Sequence, residues 1–257
     1  LLVDYSLANF LSGGMVSALW YATRLYQLPL GIFAISLSTA VLPWLAERRA
    51  QKNLMALRRE LTGSLSLVCA VLLPCTIGLF LFRKEIVALL FQRGMFSASS
   101  VEITAFALGF YSLGLVGYGA ASVLTRGFYA FQDTRTPVLV GVISIATNFF
   151  LDIILMGPLQ HGGIALSTSL VGFSNFFCLF FLFHRQHLPF EFRKLVLLLW
   201  PVLTASGVLS GLLLLLKKFL VFLPLPVFLS ACIIVASAAY LLVLFVSGYF
   251  RRERFSG

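Results

Sequence analysis

Charge is what this chain has least of. Only 11% of its 257 residues are Asp, Glu, Lys or Arg, against roughly 25% in an average soluble domain. Acidic residues are the scarcer kind, nine against nineteen Lys and Arg. Cysteine is limited to Cys69, Cys75, Cys178 and Cys232, each alone in an apolar run, so no disulfide framework or CxxC pair is present. His161, His184 and His187 match no HExxH spacing and suggest no metal centre. GxSxG, Walker and strand-linked GxGxxG motifs are missing, as is the DDxxD cluster that an enzyme acting on isoprenoid phosphates would need. The expectation is a protein that is not an enzyme.

What the chain does have is hydrocarbon. Sixty per cent of its residues are hydrophobic and 26 are Phe. Apolar runs of bilayer-crossing length, about 17 to 25 residues or more, recur near 14–45, 61–82, 103–131, 136–157, 161–183, 195–216 and 224–249. LLVDYSLANFL, residues 1–11, reads as the end of a further span, with no initiator Met and no signal peptide ahead of it. Backbone polar groups in lipid must be satisfied internally, so the spans are helices. The predicted class is all-α: a polytopic membrane helix bundle with seven full transmembrane helices plus the end of an eighth, on a chain expected to be a fragment.

The net charge of +10 suggests a membrane surface rather than nucleic acid, because basic residues alternate by side. With the loop after the first full span inside, the inner segments hold thirteen: Arg48, Arg49, Lys52, Arg58, Arg59, Arg126, Arg135, Arg185, Arg193, Lys194, Arg251, Arg252 and Arg254. The outer segments hold five: Arg83, Lys84, Arg93, Lys217 and Lys218. The positive-inside rule then puts the C-terminus in the cytoplasm. Between spans, ERRAQKNLMALRRE (47–60) reads as an amphipathic inner segment and RKEIVALLFQRGMF (83–96) as an outer interfacial helix. In GFYAFQDTRTP (127–137), Asp133 and Thr134 are placed to cap a helix begun by Pro137. A composition shift at 185–194 separates the first five spans, in a unit over 1–184, from a terminal helix pair over 185–257.

One cation, Arg24, falls inside a span. A central Arg costs about 2.5–3.5 kcal/mol on insertion scales, so such residues face a bundle interior or a wet cavity. At helical spacing Arg24 shares a stripe with Ser17, Trp20, Tyr21, Gln27, Gly31 and Ser38. Pro29 predicts a kink near residues 25–29. The planar guanidinium suits a phosphate or carboxylate, which it can grip with paired charge-assisted hydrogen bonds; the alternative is an ion pair with another helix. The carboxylates in or near spans are Asp4 and Asp152. Gly141, Ser144, Asn148 and Asp152 share a face, and the next helix offers Ser167, Thr168 and Ser169. Asp4, Asn148, Asp152 and Thr168 make an oxygen-only set suited to Na⁺ or a proton. Polar helix packing is the competing reading.

WYATRLYQLPLGIFAISLSTAVLP, LLFQRGMF, GFYAFQDTRTP and GPLQHGGIALSTSL occur in that order. Together they closely resemble the MurJ/MviN lipid II flippases of the multidrug/oligosaccharidyl-lipid/polysaccharide exporter superfamily, over nearly the whole chain. The resemblance implies the C-terminal half of a fourteen-helix transporter in a bacterial inner membrane, from the end of helix 7 to helix 14. Its partners would be lipid II, membrane lipids and a missing N-terminal lobe of helices 1 to 6. The whole would translocate undecaprenyl-diphosphate-linked peptidoglycan precursor by alternating access, and the terminal pair would contribute to a groove for the lipid tail. Arg24 aligns with a cavity arginine, with Ser17, Trp20, Tyr21 and Gln27 beside it as substrate-binding candidates. Asp4, Asn148, Asp152 and Thr168 fall at an ion site between helices 7, 11 and 12, with Na⁺ as a possible coupling ion and no other cofactor. Many relatives have Asp at the position of Thr23, and some have Glu at that of Gln27, so the charge balance around Arg24 differs here. The runner-up readings are an exporter of another polyprenyl-linked glycan or amphiphile, and a non-transporting membrane scaffold.

Overall fold

The computed structural model describes residues 14–219 and 223–249, and its regular structure is entirely helical. Helix α1 (Met15–Pro29) runs through a π-helical stretch (Leu30–Ile35) into α2 (Ser36–Ala50). Then follow α3 (Leu54–Leu81), the short α4 (Arg83–Phe91), α5 (Ala98–Leu113), α6 (Leu115–Ala130), α7 (Arg135–Leu159), α8 (His161–Gln186), α9 (Phe192–Phe219) and α10 (Leu225–Val246). Among the described residues, six runs are long and apolar enough to cross a membrane, and α5 with α6 makes a seventh if the pair is one span bent by 40°. Residues 1–11, read above as the end of a further span, lie outside the described residues.

Among the described residues, three apolar cores hold the bundle. One joins α2, α3, α6 and α8 through Leu45, Leu61, Leu124, Phe128 and Phe183. A second joins α1, α4, α5 and α8 through Leu19, Val87, Leu108, Tyr111 and Ile164, with Tyr26 and Tyr111 stacked at 5.0 Å. The third seats the α9–α10 hairpin on α3 and the start of α4 through Phe82, Val202, Leu209, Phe228 and Cys232. Polar ties reinforce it: the Tyr240 hydroxyl donates to the Ala70 carbonyl at 2.7 Å, and Lys217 at the end of α9 pairs with Glu85 at 2.7 Å. By contrast, Val138, Val142, Ile145, Phe150 and Ile154 on α7 are exposed, as a lipid-facing helix requires.

The first span departs from its predicted form. It continues to Ala50, 36 residues in all, or about 54 Å of straight helix against a hydrocarbon core of about 30 Å. The chain stays α-helical through 25–29 and widens into the π segment directly after Pro29. Proline has no N–H for the preceding turn, and the wide turn absorbs the local mismatch. The Ser36 hydroxyl helps by donating to the Gly31 carbonyl at 3.4 Å.

The predicted span 103–131 is likewise broken, at Gly114. The backbone there is right-handed (φ −74°, ψ −11°), so glycine is needed for proximity rather than for torsional freedom. A Cβ on Gly114 would stand 2.7 Å from Ser169 Cα. Ser169 also splices the broken backbone: its Oγ accepts from Gly114 N at 3.0 Å and donates to the Phe110 carbonyl at 2.6 Å. Free backbone groups at a mid-membrane break are thereby satisfied.

At the helix ends, Asn53 caps α3 by accepting from Ala56 N at 3.0 Å. Asp133 caps α7 by accepting from Thr136 N at 3.0 Å and from the Thr136 hydroxyl at 2.7 Å. The helix begins at Arg135, two residues before Pro137, and Thr134 makes no side-chain cap bond. His187, after α8, meets the same carboxylate at 3.2 Å. Burial pushes the Asp133 carboxyl up, but the Thr136 hydrogen bonds and His187 outweigh that and hold it below its ordinary value. Glu191, between α8 and α9, accepts from Lys194 and Arg58, and both pull its carboxyl below the usual range.

Candidate functional site

The face of α1 that avoids the core carries the polar stripe. Ala18, Leu19, Ala22, Leu25 and Tyr26 point inward, which leaves Ser17, Trp20 and Arg24 exposed and Tyr21 and Gln27 half-buried. The Arg24 guanidinium lies over the Trp20 ring, 4.9 Å from its centroid, an arrangement that orients a cation without neutralising it. Among the described residues Arg24 has no carboxylate partner. Thr23 is buried, with 3% of its surface exposed, so it faces the bundle interior rather than the Arg24 side.

Ser38 does not belong to the stripe. Fourteen positions beyond Arg24, it would lie within about 40° of it on an unbroken helix. The π segment inserts one extra residue and turns everything after it by about another 100°. Ser38 is accordingly buried, 1% exposed, with its hydroxyl donating to the Ile35 carbonyl at 2.9 Å. The exposed polar face is therefore confined to α1 and the first turn of the π segment.

Toward its N-terminal end the stripe opens into a cleft of about 790 Å³, lined by Ser17 and Tyr21 of α1 and by Phe91, Arg93, Phe96 and Thr104 across from them. Rings connect it to Arg24: Trp20 meets Tyr21 edge-on at 5.2 Å, and Tyr21 meets Phe91 at 4.7 Å and Phe96 at 5.4 Å. Sequence reasoning passed over Arg93 and its neighbours. The available signal was an Arg–Gly turn flanked by Phe91 and Phe96 within LLFQRGMF.

The second polar group lies between α7 and α8. Asp152 is fully buried. Its Oδ1 accepts from Asn148 Nδ2 at 3.3 Å and, over a short contact, from the Ser167 hydroxyl; Asn148 Nδ2 also donates to Ser167 Oγ at 3.1 Å. Ser167 is thus the contact from α8. The neighbouring Thr168 turns its hydroxyl to the Ile164 carbonyl at 3.1 Å, while its own carbonyl accepts from Tyr118 at 3.1 Å. Asp4, the fourth candidate ligand, lies outside the described residues. Among those described, no cluster of three or more His, Cys, Asp or Glu side chains could hold a metal. The donor set is hydroxyl, amide and one carboxylate, which suits a hard monovalent cation or proton rather than a transition ion.

Comparison with known proteins places this architecture. The family model described as lipid II flippase MurJ matches residues 1–221. A probable lipid II flippase MurJ of Vibrio cholerae is 33% identical over 214 residues, 83% of this chain and 41% of that protein. Its counterpart in Rhizobium meliloti is 36% identical over 180 residues, 70% of this chain and 34% of its own length. A solved structure of a lipid II flippase MurJ in an inward closed conformation superimposes with a TM-score of 0.81 at 29% identity, covering 98% of this chain and 50% of that one. The chain thus spans half or less of the proteins it matches. Its apolar helices and these relatives together make it a multi-pass inner-membrane protein, and it belongs to the MurJ lipid II flippase family.

Proposed function

We propose that this chain forms the C-terminal part of a lipid II flippase, in which Arg24 receives the substrate diphosphate. The observation that carries the reading is an exposed guanidinium inside an apolar span, oriented by Trp20 at 4.9 Å and without a carboxylate partner among the described residues. A diphosphate supplies the missing counter-charge and matches the planar donor fork. Tyr21, Gln27 and Ser17 line the approach. No bond is broken. Transport is a population shift between inward and outward states, driven by the difference in substrate and ion affinity between them.

Counting α5 and α6 as one bent span gives seven, with residues 1–11 as the end of an eighth. Residues 1–184 form the transport lobe, and residues 185–257 the terminal pair that adds a groove for the lipid tail. The positive-inside count supports a cytoplasmic C-terminus. A preceding lobe, helices 1 to 6 of the family, is the required partner, because rocking one half against the other alternates access. Na⁺ as coupling ion fits the oxygen donors of Asn148, Asp152, Ser167 and Thr168, with Asp4, outside the described residues, as a further candidate ligand. To serve a cation, the Asn148 amide turns its oxygen inward.

The test is lipid II translocation by the full-length protein in proteoliposomes. Arg24→Ala is expected to abolish it and Arg24→Lys to retain a small fraction, since Lys keeps the charge but loses the fork. Normal transport by Arg24→Ala would overturn the assignment. The same assay with a lipid-linked glycan other than the peptidoglycan precursor separates this reading from a related exporter.

A further inference from the structure

The open cleft beyond Tyr21 has a composition of its own. Thr104 is one of the residues around the cleft; it is 1% exposed, and its buried hydroxyl has no hydrogen-bond partner among the described residues. A buried hydroxyl left unpaired is unfavourable, and a helical Thr ordinarily avoids that by bonding the carbonyl one turn back. Arg93 is exposed in the turn after α4 and has no carboxylate partner among the described residues. Ser17, Ser99 and Ser100 add hydroxyls to the wall, while Tyr21, Phe91 and Phe96 present aromatic surface. The volume, about 790 Å³, lies within the roughly 300–1,000 Å³ of small-ligand sites.

Aromatic faces beside several hydroxyls and one free guanidinium suit a ligand with apolar C–H faces, many hydroxyls and a carboxylate, which describes a sugar acid bearing a short peptide. A bare diphosphate or an acyl chain would leave most of these groups unused. Ser17 lies seven residues before Arg24, about 10 Å along the helix, and Trp20 and Tyr21 bridge the interval with ring contacts. A ligand whose diphosphate rests at Arg24 can extend its sugar–peptide end along this track into the cleft.

We propose that the cleft between α1 and the α4–α5 turn is a second subsite that binds the sugar–peptide carboxylate of the transported head group, with Arg93 gripping the carboxylate and Thr104 bonding a sugar or amide group. The proposal rests on the flippase reading above. It divides recognition between Arg24, which reads the diphosphate, and Arg93, which reads what is attached to it.

Two probes separate these roles in the full-length protein in detergent: muramyl dipeptide, which has the sugar acid and peptide but no diphosphate, and undecaprenyl diphosphate, which has the reverse. Arg93→Ala is expected to weaken muramyl dipeptide binding at least tenfold and Thr104→Val several-fold, each leaving undecaprenyl diphosphate within twofold. Arg24→Ala should do the opposite. Arg93 is exposed, so its replacement does not threaten folding, and the retained diphosphate affinity checks this directly. If muramyl dipeptide fails to bind the wild type, or binds Arg93→Ala and Thr104→Val within twofold of it, the subsite is overturned while the flippase reading stands. If diphosphate binding is indifferent to Arg24→Ala, the flippase reading falls and the proposal with it.

Discussion

Replacing Gly114 by Ala sets two opposing effects against each other, and the structure decides which wins. Gly114 has ordinary right-handed torsions, so local preference favours Ala by roughly 0.5–1 kcal/mol. Against this, the new methyl would stand 2.7 Å from both Cα and Oγ of Ser169 and 3.0 Å from its Cβ, whereas carbon atoms settle at about 3.5–4.0 Å. Helix α8 would have to retreat by about 1 Å. Overpacking of this kind costs about 1–3 kcal/mol. The retreat also strains the two Ser169 hydrogen bonds that splice the break, at 3.0 and 2.6 Å, each worth about 0.5–1.5 kcal/mol. The balance is a net destabilisation of about 1–4 kcal/mol. It should appear as a fall of several degrees in the apparent melting temperature of purified protein in detergent, with partial recovery in the Gly114→Ala/Ser169→Gly double variant, where the opposing Cβ and Oγ are gone. A Gly114→Ala protein as stable as the parent, or more stable, would refute the close-approach argument and leave only the backbone effect.

Three further outcomes follow from the same structure. Tyr240→Phe removes the bond to the Ala70 carbonyl and should cost about 0.5–1.5 kcal/mol, read as earlier thermal unfolding or easier proteolytic release of the α9–α10 hairpin. Asp133→Ala should cost about 0.5–2 kcal/mol through the lost cap of α7 and Asp133→Asn much less, since Asn also caps. The depressed Asp133 carboxyl contributes stability that is fully present above its unfolded value near about 3.9 and is lost as pH falls through its lower folded value, so wild type and Asp133→Ala should converge in melting temperature at strongly acid pH. Asp152→Asn should abolish any difference in transport or thermal stability between Na⁺ and K⁺; a difference that survives would remove Asp152 from the ion site.

Much of this molecule is legible in one dimension because lipid imposes local rules. Span positions follow from hydropathy, and wherever the helix stays regular its faces follow from spacing. That is why Ser17, Trp20, Tyr21 and Arg24 emerge together on the exposed side of α1, why Asn148 and Asp152 meet one turn apart, and why Asp133 caps the turn before α7. The same rule failed where the spacing failed: the π segment after Pro29 turned Ser38 into the core.

Other features were decided by residues far apart in the chain. Glycine stands at the break in the α5–α6 span because Ser169 of another helix occupies the space a side chain would need. Ser167 rather than Thr168 reaches Asp152 because the pairing of α7 with α8 sets which hydroxyl faces across. Arg93 acquires a role only once α4 and α5 bring its turn opposite Tyr21. Composition and periodicity therefore determined that the chain is a bundle of membrane helices with one costly cation. The tertiary structure decided what that cation faces, because phase defects and interhelical contacts depend on packing rather than on local spacing.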